Sequence, residues 1–130
     1  MIVLDTHIWI WWVHNDPLLP PAYQRYLQAH PSSSFGVSII SCWEVALLDA
    51  GGKIQLPLPI ETWLRDALAF PQIQLLNLTP EIVVDANHLP GNFHRDPADR
   101  LITATARIHG CPLITQDSKI RPYPHVQIVP

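Results

Sequence analysis

Short apolar runs alternate with longer amphipathic ones along this chain. Ile2-Val3-Leu4 opens it, and an apolar run this short, bounded by polar residues, reads as a strand buried on both faces. Phe35-Gly36-Val37, Ile73 to Leu78, Pro112 to Thr115 and Val126 to Val129 repeat the pattern. The segments between them are helical in spacing. Ala22 to His30 keeps polar positions at Gln24, Arg25 and Gln28. Ser38 reads as an N-cap before a helix through Ile40, Trp43, Ala46, Leu47 and Ala50, which Gly51-Gly52 stops. Leu56-Pro57-Leu58-Pro59 is a linker, and Glu61 to Phe70 is a further helix. Thr79-Pro80-Glu81 supplies a cap, a first-position proline and an acidic first turn for a helix to about His88.

Strands alternating with helices predict a parallel sheet covered on both faces. In such sheets, sites form outside the C-terminal ends of the strands. Asp5 and Asp117 each directly follow a predicted strand. His7-Ile8-Trp9-Ile10-Trp11-Trp12-Val13 is apolar almost all round. It reads as a short helix wedged into the core, or as part of a protein contact surface, since three tryptophans so close together strain a small core.

The densest polar stretch is His94-Arg95-Asp96-Pro97-Ala98-Asp99-Arg100-Leu101-Ile102. Pro97 suits the first position of a helix, because its ring presets φ and its missing N–H has no partner there. Asp96 is then the N-cap, and Asp99 sits in the first turn of a helix running to Gly110. Residues three apart share a helix face, and the electropositive helix start tolerates both charges.

Composition narrows the reading. The chain has 130 residues, 48% hydrophobic and 15% charged, which suits one globular domain over residues 1–130. No apolar run approaches the roughly 20 residues of a membrane span, and Met1 to Asp5 lacks a basic leader. A cytoplasmic protein without membrane contact is therefore expected. Cys42 and Cys111 lack metal-ligand or redox spacing and read as buried free thiols. With eight Lys and Arg and a net charge of −3, any nucleic-acid binding must be local or metal-assisted. Lys53, Arg95, Arg100 and Lys119 are the cations near the motifs, each an ordinary surface charge or a phosphate contact.

Each acid has an ordinary reading beside a functional one. Asp5 is a turn former or a ligand at a strand end. Glu44 is one half of a capping box with Ser41, or a carboxylate turned toward a cleft beside Ile40, Leu47 and Leu48. Asp96 is a cap with or without chemistry, Asp99 a favourable first-turn charge or a ligand, and Asp117 a turn residue or a ligand. Acids converging without an equal basic cluster repel one another, and divalent cations relieve that repulsion. Mg²⁺ takes oxygen ligands and keeps several waters. Two such ions stabilise both oxygens of an in-line phosphodiester cleavage.

Leu4-Asp5-Thr6-His7, Ser38-Ile39-Ile40-Ser41-Cys42-Trp43-Glu44-Val45-Ala46, Gly52-Lys53-Ile54, Leu89-Pro90, the His94 to Ile102 stretch and Leu113-Ile114-Thr115-Gln116-Asp117 occur in this order over nearly the whole chain. As an ordered set they resemble the PIN-domain nucleases, and among these the VapC-type toxins of type II toxin–antitoxin pairs. The resemblance implies an α/β fold: a three-layer α/β/α sandwich on a central parallel sheet of about five strands. It implies Mg²⁺- or Mn²⁺-dependent hydrolysis of RNA by a metal-activated water. Carried over by position, the catalytic and metal-binding acids are Asp5, Glu44, Asp99 and Asp117, with Asp96 an accessory acid and Thr6 and Ser41 supporting hydroxyls. It further implies a homodimer and a cognate antitoxin whose tail reaches the acidic site, for which the Trp9, Trp11 and Trp12 cluster is a candidate surface.

Other readings fit less well. A haloacid-dehalogenase-like phosphatase needs a second acid where this chain has His7, and in a response-regulator receiver the late lysine would not stand as near Asp117 as Lys119 does. Two alternatives remain: a non-catalytic partner-binding module whose acids only cap helices, and a PIN-domain nuclease outside toxin–antitoxin pairs.

Overall fold

The computed structural model describes residues Met1 to Pro130. Its elements are β1 (Ile2–Leu4), α1 (Thr6–His14), α2 (Pro21–Gln28), β2 (Phe35–Ser38), α3 (Ile39–Ala50), α4 (Ile60–Leu68), β3 (Ile73–Leu76), α5 (Pro80–Asn87), α6 (Pro97–His109) and β4 (Leu113–Ile114). All strand pairs are parallel, in the order β3-β2-β1-β4. The chain steps outward from β1 to β3, then returns to the other side of β1. That reversal opens a crevice at the C-terminal ends of β1 and β4, where parallel sheets place their ligands.

Strand pattern sorts the core into two faces. Side chains alternate along a strand, so Ile2 and Leu4 join Phe35, Val37 and Ile114 on one face, with Ile8, Trp9, Tyr23, Leu27, Val45 and Trp63 from the helices. Val3 and Leu113 face the other way, onto Leu76, Ile102, Ala106 and Ile120. Ile82 and Ala86 of α5 pack on Ala104, making α5 an outer partner of α6. Burial on both faces is why β1, β2 and β4 read as short apolar runs, whereas the edge strand β3 exposes Gln74 and Leu75.

The helix starts follow their caps. Ser38 Oγ accepts from the Ile40 amide at 3.2 Å, and Thr79 Oγ1 accepts from the Ile82 amide at 3.2 Å. Gly110 ends α6 at φ 63°, a left-handed conformation that glycine adopts without a Cβ clash.

Four strands form rather than the five expected. Val126 to Val129 contributes only an isolated parallel bridge, Leu113 to Ile128, with bonds from the Leu113 amide to Gln127 O at 2.8 Å and from the Val129 amide to Leu113 O at 3.0 Å. Its neighbour β4 is two residues long, and Pro122, Pro124 and Pro130 surround the segment. Proline has no N–H to extend a ladder.

The tryptophan cluster divides. Trp9 is fully buried, meets Trp63 edge-on at a centroid distance of 5.1 Å, and donates to Ala67 O at 3.3 Å. It is core, not contact surface. Trp11 and Trp12 are half-buried, and Trp12 packs edge-on against Phe35. Cys42 is a buried free thiol as expected, whereas Cys111 is only half-buried. No helix is long and apolar enough to cross a membrane.

Candidate active site

Asp5 directly follows β1 and caps α1, so one residue joins strand to helix at the crevice. It is 9% exposed. Its Oδ1 accepts from the Thr6 amide at 2.8 Å and its Oδ2 from the Thr115 hydroxyl at 2.7 Å. Burial holds its carboxyl above the usual range, against the opposing effect of those two bonds.

Thr6 carries the next link. Its hydroxyl donates to Glu44 Oε1 at 2.5 Å and pairs with the Ser41 hydroxyl at 2.8 Å. Because Ser38 rather than Ser41 caps α3, Ser41 and Glu44 form no capping box. Ser41 is instead fully buried beneath Thr6, and Glu44 is half-buried at the cleft wall. Burial pushes the Glu44 carboxyl up to about 7, with the charges of Asp5, Asp99 and Asp96 adding to the rise and the Thr6 bond opposing it.

The Asp96-Pro97 start of α6 forms as the sequence predicts. Asp96 Oδ1 accepts from the Asp99 amide at 2.9 Å, while the exposed remainder of its side chain borders the cleft. Asp99 is 15% exposed in its side chain, and its Oδ2 lies 2.6 Å from His94 Nε2. Burial raises the Asp99 carboxyl to about 6, opposed by the His94 bond and helped by Asp5, Asp96 and Asp117.

Asp117 follows β4 in a short turn, its Oδ1 accepting from the Lys119 amide at 2.8 Å. Its own amide donates to Thr115 Oγ1 at 3.0 Å. Thr115 therefore ties Asp117 to Asp5, a role the sequence reading missed. A β-branched hydroxyl residue at a strand end, two positions before an acid, was the available signal.

Asp5, Glu44, Asp96, Asp99 and Asp117 line one cleft of about 550 Å³, with Thr6, His7, Trp11, Gln116 and Lys119. Ser41 lies under its wall. Lys119 is the single Lys or Arg in the lining, so the acids have little internal neutralisation. Their donor set is oxygen, which suits a hard divalent cation. No three His, Cys, Asp or Glu side chains stand close enough together to hold a metal ion by themselves. An open acidic cleft still fits Mg²⁺, which keeps several waters and uses few protein carboxylates.

Of the cations considered for phosphate, Arg100 is taken. Its guanidinium donates to three backbone carbonyls, those of His94, Phe93 and Ala86. Lys53 and Arg95 are exposed, and Lys119 alone of the four borders the cleft. Beside the cleft lies an apolar groove of about 370 Å³ formed by Ile40, Trp43, Leu47, Pro97 and Ala98, which shares Glu44 and Asp96 with it. Trp43 is 57% and Leu47 56% exposed there.

Comparison with known proteins agrees with this fold. The family model of the PIN domain matches residues 2–126. Ribonuclease VapC22 of Mycobacterium tuberculosis is 34% identical over 124 residues, spanning 95% of this chain and 92% of that protein. Among solved structures, VapBC2 from Rickettsia felis, bound to a DNA fragment from its promoter, superposes with a TM-score of 0.69 at 19% identity, over 99% of this chain and 98% of the other. A toxin–antitoxin complex from Klebsiella pneumoniae gives a TM-score of 0.69 at 22% identity, over 100% and 97%. At such identities the two structures speak to the fold.

Proposed function

Because this chain belongs to the PIN-domain family, we propose that it is a divalent-metal-dependent ribonuclease acting as the toxin of a toxin–antitoxin pair. The observation that carries this reading is the convergence of Asp5, Glu44, Asp99 and Asp117, with Asp96, on one cleft at the reversal point of the sheet. The 34% identity to a protein named as a ribonuclease supports the substrate class.

Asp5 and Asp99 are the proposed principal ligands of Mg²⁺ or Mn²⁺, and Glu44 and Asp117 would complete the shell or hold its waters. When bound, the cation supplies Lewis-acid activation of water and neutralises charge at the phosphodiester. The chain's own residues prepare for this. Thr115 fixes Asp5 and the backbone at Asp117 together, and Thr6 with Ser41 fixes Glu44. Without a cation, burial and the neighbouring acids hold the Glu44 carboxyl up at about 7, and a bound cation would favour its ionised form. Lys119 is positioned at the rim to meet a phosphate. No side chain is required as a covalent nucleophile.

The partners follow from charge and exposure. An antitoxin segment that reached the cleft would place a cationic side chain among the acids. A homodimer would cover the apolar groove at Trp43 and Leu47, both more than half exposed. RNA is the substrate, and the protein acts in the cytoplasm.

Induction of the chain alone in growing cells, beside Asp5→Asn, tests the reading, with RNA from both cultures mapped for new 5′ ends. Growth arrest with discrete cuts that the mutant lacks is expected. Metal-dependent cuts by the purified protein without any arrest would move the chain to the nucleases outside toxin–antitoxin pairs. Neither arrest nor cuts, from folded protein, would leave a binding module.

A further inference from the structure

The loop before α6 is held by an arginine of α6 itself. Arg100 donates through Nε to His94 O at 2.8 Å, through Nη2 to Phe93 O at 2.8 Å and through Nη1 to Ala86 O at 3.1 Å. A planar guanidinium bonded to three carbonyls fixes both the distance and the orientation of the loop. Its carbon also lies 5.8 Å from the centroid of the Phe93 ring.

Phe93 passes that restraint on to a side chain. Its ring stacks on the His94 imidazole, with centroids 4.5 Å apart and planes 25° from parallel. Tyr123 also meets Phe93 edge-on at 4.9 Å, and the Tyr123 hydroxyl donates to Pro90 O at 2.6 Å. The imidazole therefore has little freedom to turn. Its Nε2 lies 2.6 Å from Asp99 Oδ2, while its Nδ1 is buried and has no partner. With no partner at Nδ1, Nε2 is the ring nitrogen through which His94 meets Asp99.

We propose that His94 is a positioning residue: it holds Asp99 Oδ2 so that the other carboxylate oxygen is presented to the divalent cation, and Arg100 with Phe93 holds His94. This rests on the reading of the cleft as a divalent-cation site. Partners that orient a ligating side chain change metal affinity about 10- to 100-fold when removed, although they never touch the metal. Arg100 then acts at a distance from the cation, through the loop, the imidazole and Asp99, and its charge is not available for RNA.

The test is calorimetric titration of the purified full chain with Mn²⁺, comparing wild type, His94→Ala and His94→Gln, with thermal melts in the absence of metal. Gln is the conservative variant, because its side-chain amide can donate to the same carboxylate oxygen. Wild type is expected to bind Mn²⁺, His94→Ala about 10- to 100-fold more weakly, and His94→Gln close to wild type. RNA cleavage by His94→Ala is expected to recover as Mn²⁺ is raised, with KM for RNA unchanged. Should His94→Ala fail to fold, His94→Asn replaces it, being polar but too short to reach Asp99, with the same expectation. Wild-type affinity in the Ala or Asn variant overturns the proposal and leaves the cleft reading intact. Equal weakening in His94→Gln and His94→Ala, matched by equal loss of melting temperature, overturns it in favour of simple packing. A wild type that takes up no Mn²⁺ overturns the cleft reading, and this proposal with it.

Discussion

The Thr115 hydroxyl donates to Asp5 Oδ2 at 2.7 Å, joining the C-terminal ends of two strands that lie 110 residues apart in sequence. The same oxygen accepts from the Asp117 amide. One hydroxyl thus satisfies a buried carboxylate and sets the start of the turn that carries another. Thr115→Val keeps the shape and removes both bonds. It is expected to weaken Mn²⁺-dependent RNA cleavage about 10- to 100-fold at limiting metal and to lower stability by about 1–3 kcal/mol. Thr115→Ser should retain most of both. Mn²⁺ titration of cleavage, with melts of the metal-free proteins, checks this.

Metal-free protein is expected to lose stability as pH rises. Glu44 moves from 4.5 to about 7 on folding and Asp99 from 3.8 to about 6. The folded state therefore favours their protonated forms. Their favourable contribution is fully present below about pH 4, in the region of the unfolded values, and is lost as pH rises through about 6 to 7. Mg²⁺ favours the carboxylates and should raise the melting temperature more at pH 8 than at pH 5. Glu44→Gln removes one of the repelling charges. Discounted for the half-exposed setting, it should stabilise metal-free protein at pH 8 by roughly 1 kcal/mol while abolishing cleavage. Melts across pH, with and without Mg²⁺, decide it.

Arg107 locks α6 to α5 and to the C-terminal segment. It meets Asp85 through Nε at 2.9 Å and Nη2 at 3.3 Å, and donates through Nη1 to His125 O at 2.5 Å. Both side chains of the ion pair are half-buried. Lysine cannot reproduce this fork, so Arg107→Lys should destabilise the fold by about 1–3 kcal/mol without changing Mn²⁺ affinity. Chemical denaturation and metal titration of the same variant separate the two effects.

The apolar groove at Trp43 predicts an oligomer. Trp43→Glu places a charge in the face proposed to be covered by a second copy. Light scattering should show a dimer for the wild type and a monomer for the variant, with the melting curve otherwise cooperative. A wild-type monomer at high concentration would contradict the assignment.

Much of this was legible in sequence for identifiable reasons. Caps carry local chemistry, so Ser38, Thr79 and Asp96 announced their helices correctly. Strands buried on both faces read as apolar runs, so β1, β2 and β4 were visible, with Asp5 and Asp117 just beyond two of them. The edge strand β3 is exposed at Gln74 and Leu75 and showed only as a short Leu- and Ile-rich run. Pairing is not local, which is why Val126 to Val129 looked like a full strand yet forms a single bridge. The same limit hid Thr115, whose partner Asp5 is remote, and His94, whose role depends on a stacked phenylalanine and an arginine clamp. Trp9 differed from Trp11 and Trp12 only in which way the helix turned it, something the all-round apolar segment did not encode.

The most direct test of the acidic cleft is cleavage of a labelled RNA by the purified protein across a Mn²⁺ titration, with Asp99→Asn in parallel. Cutting that rises saturably with Mn²⁺, stops on chelation, and is absent from a folded Asp99→Asn variant is the predicted result. Cutting that persists without metal, or that Asp99→Asn retains in full, would contradict it.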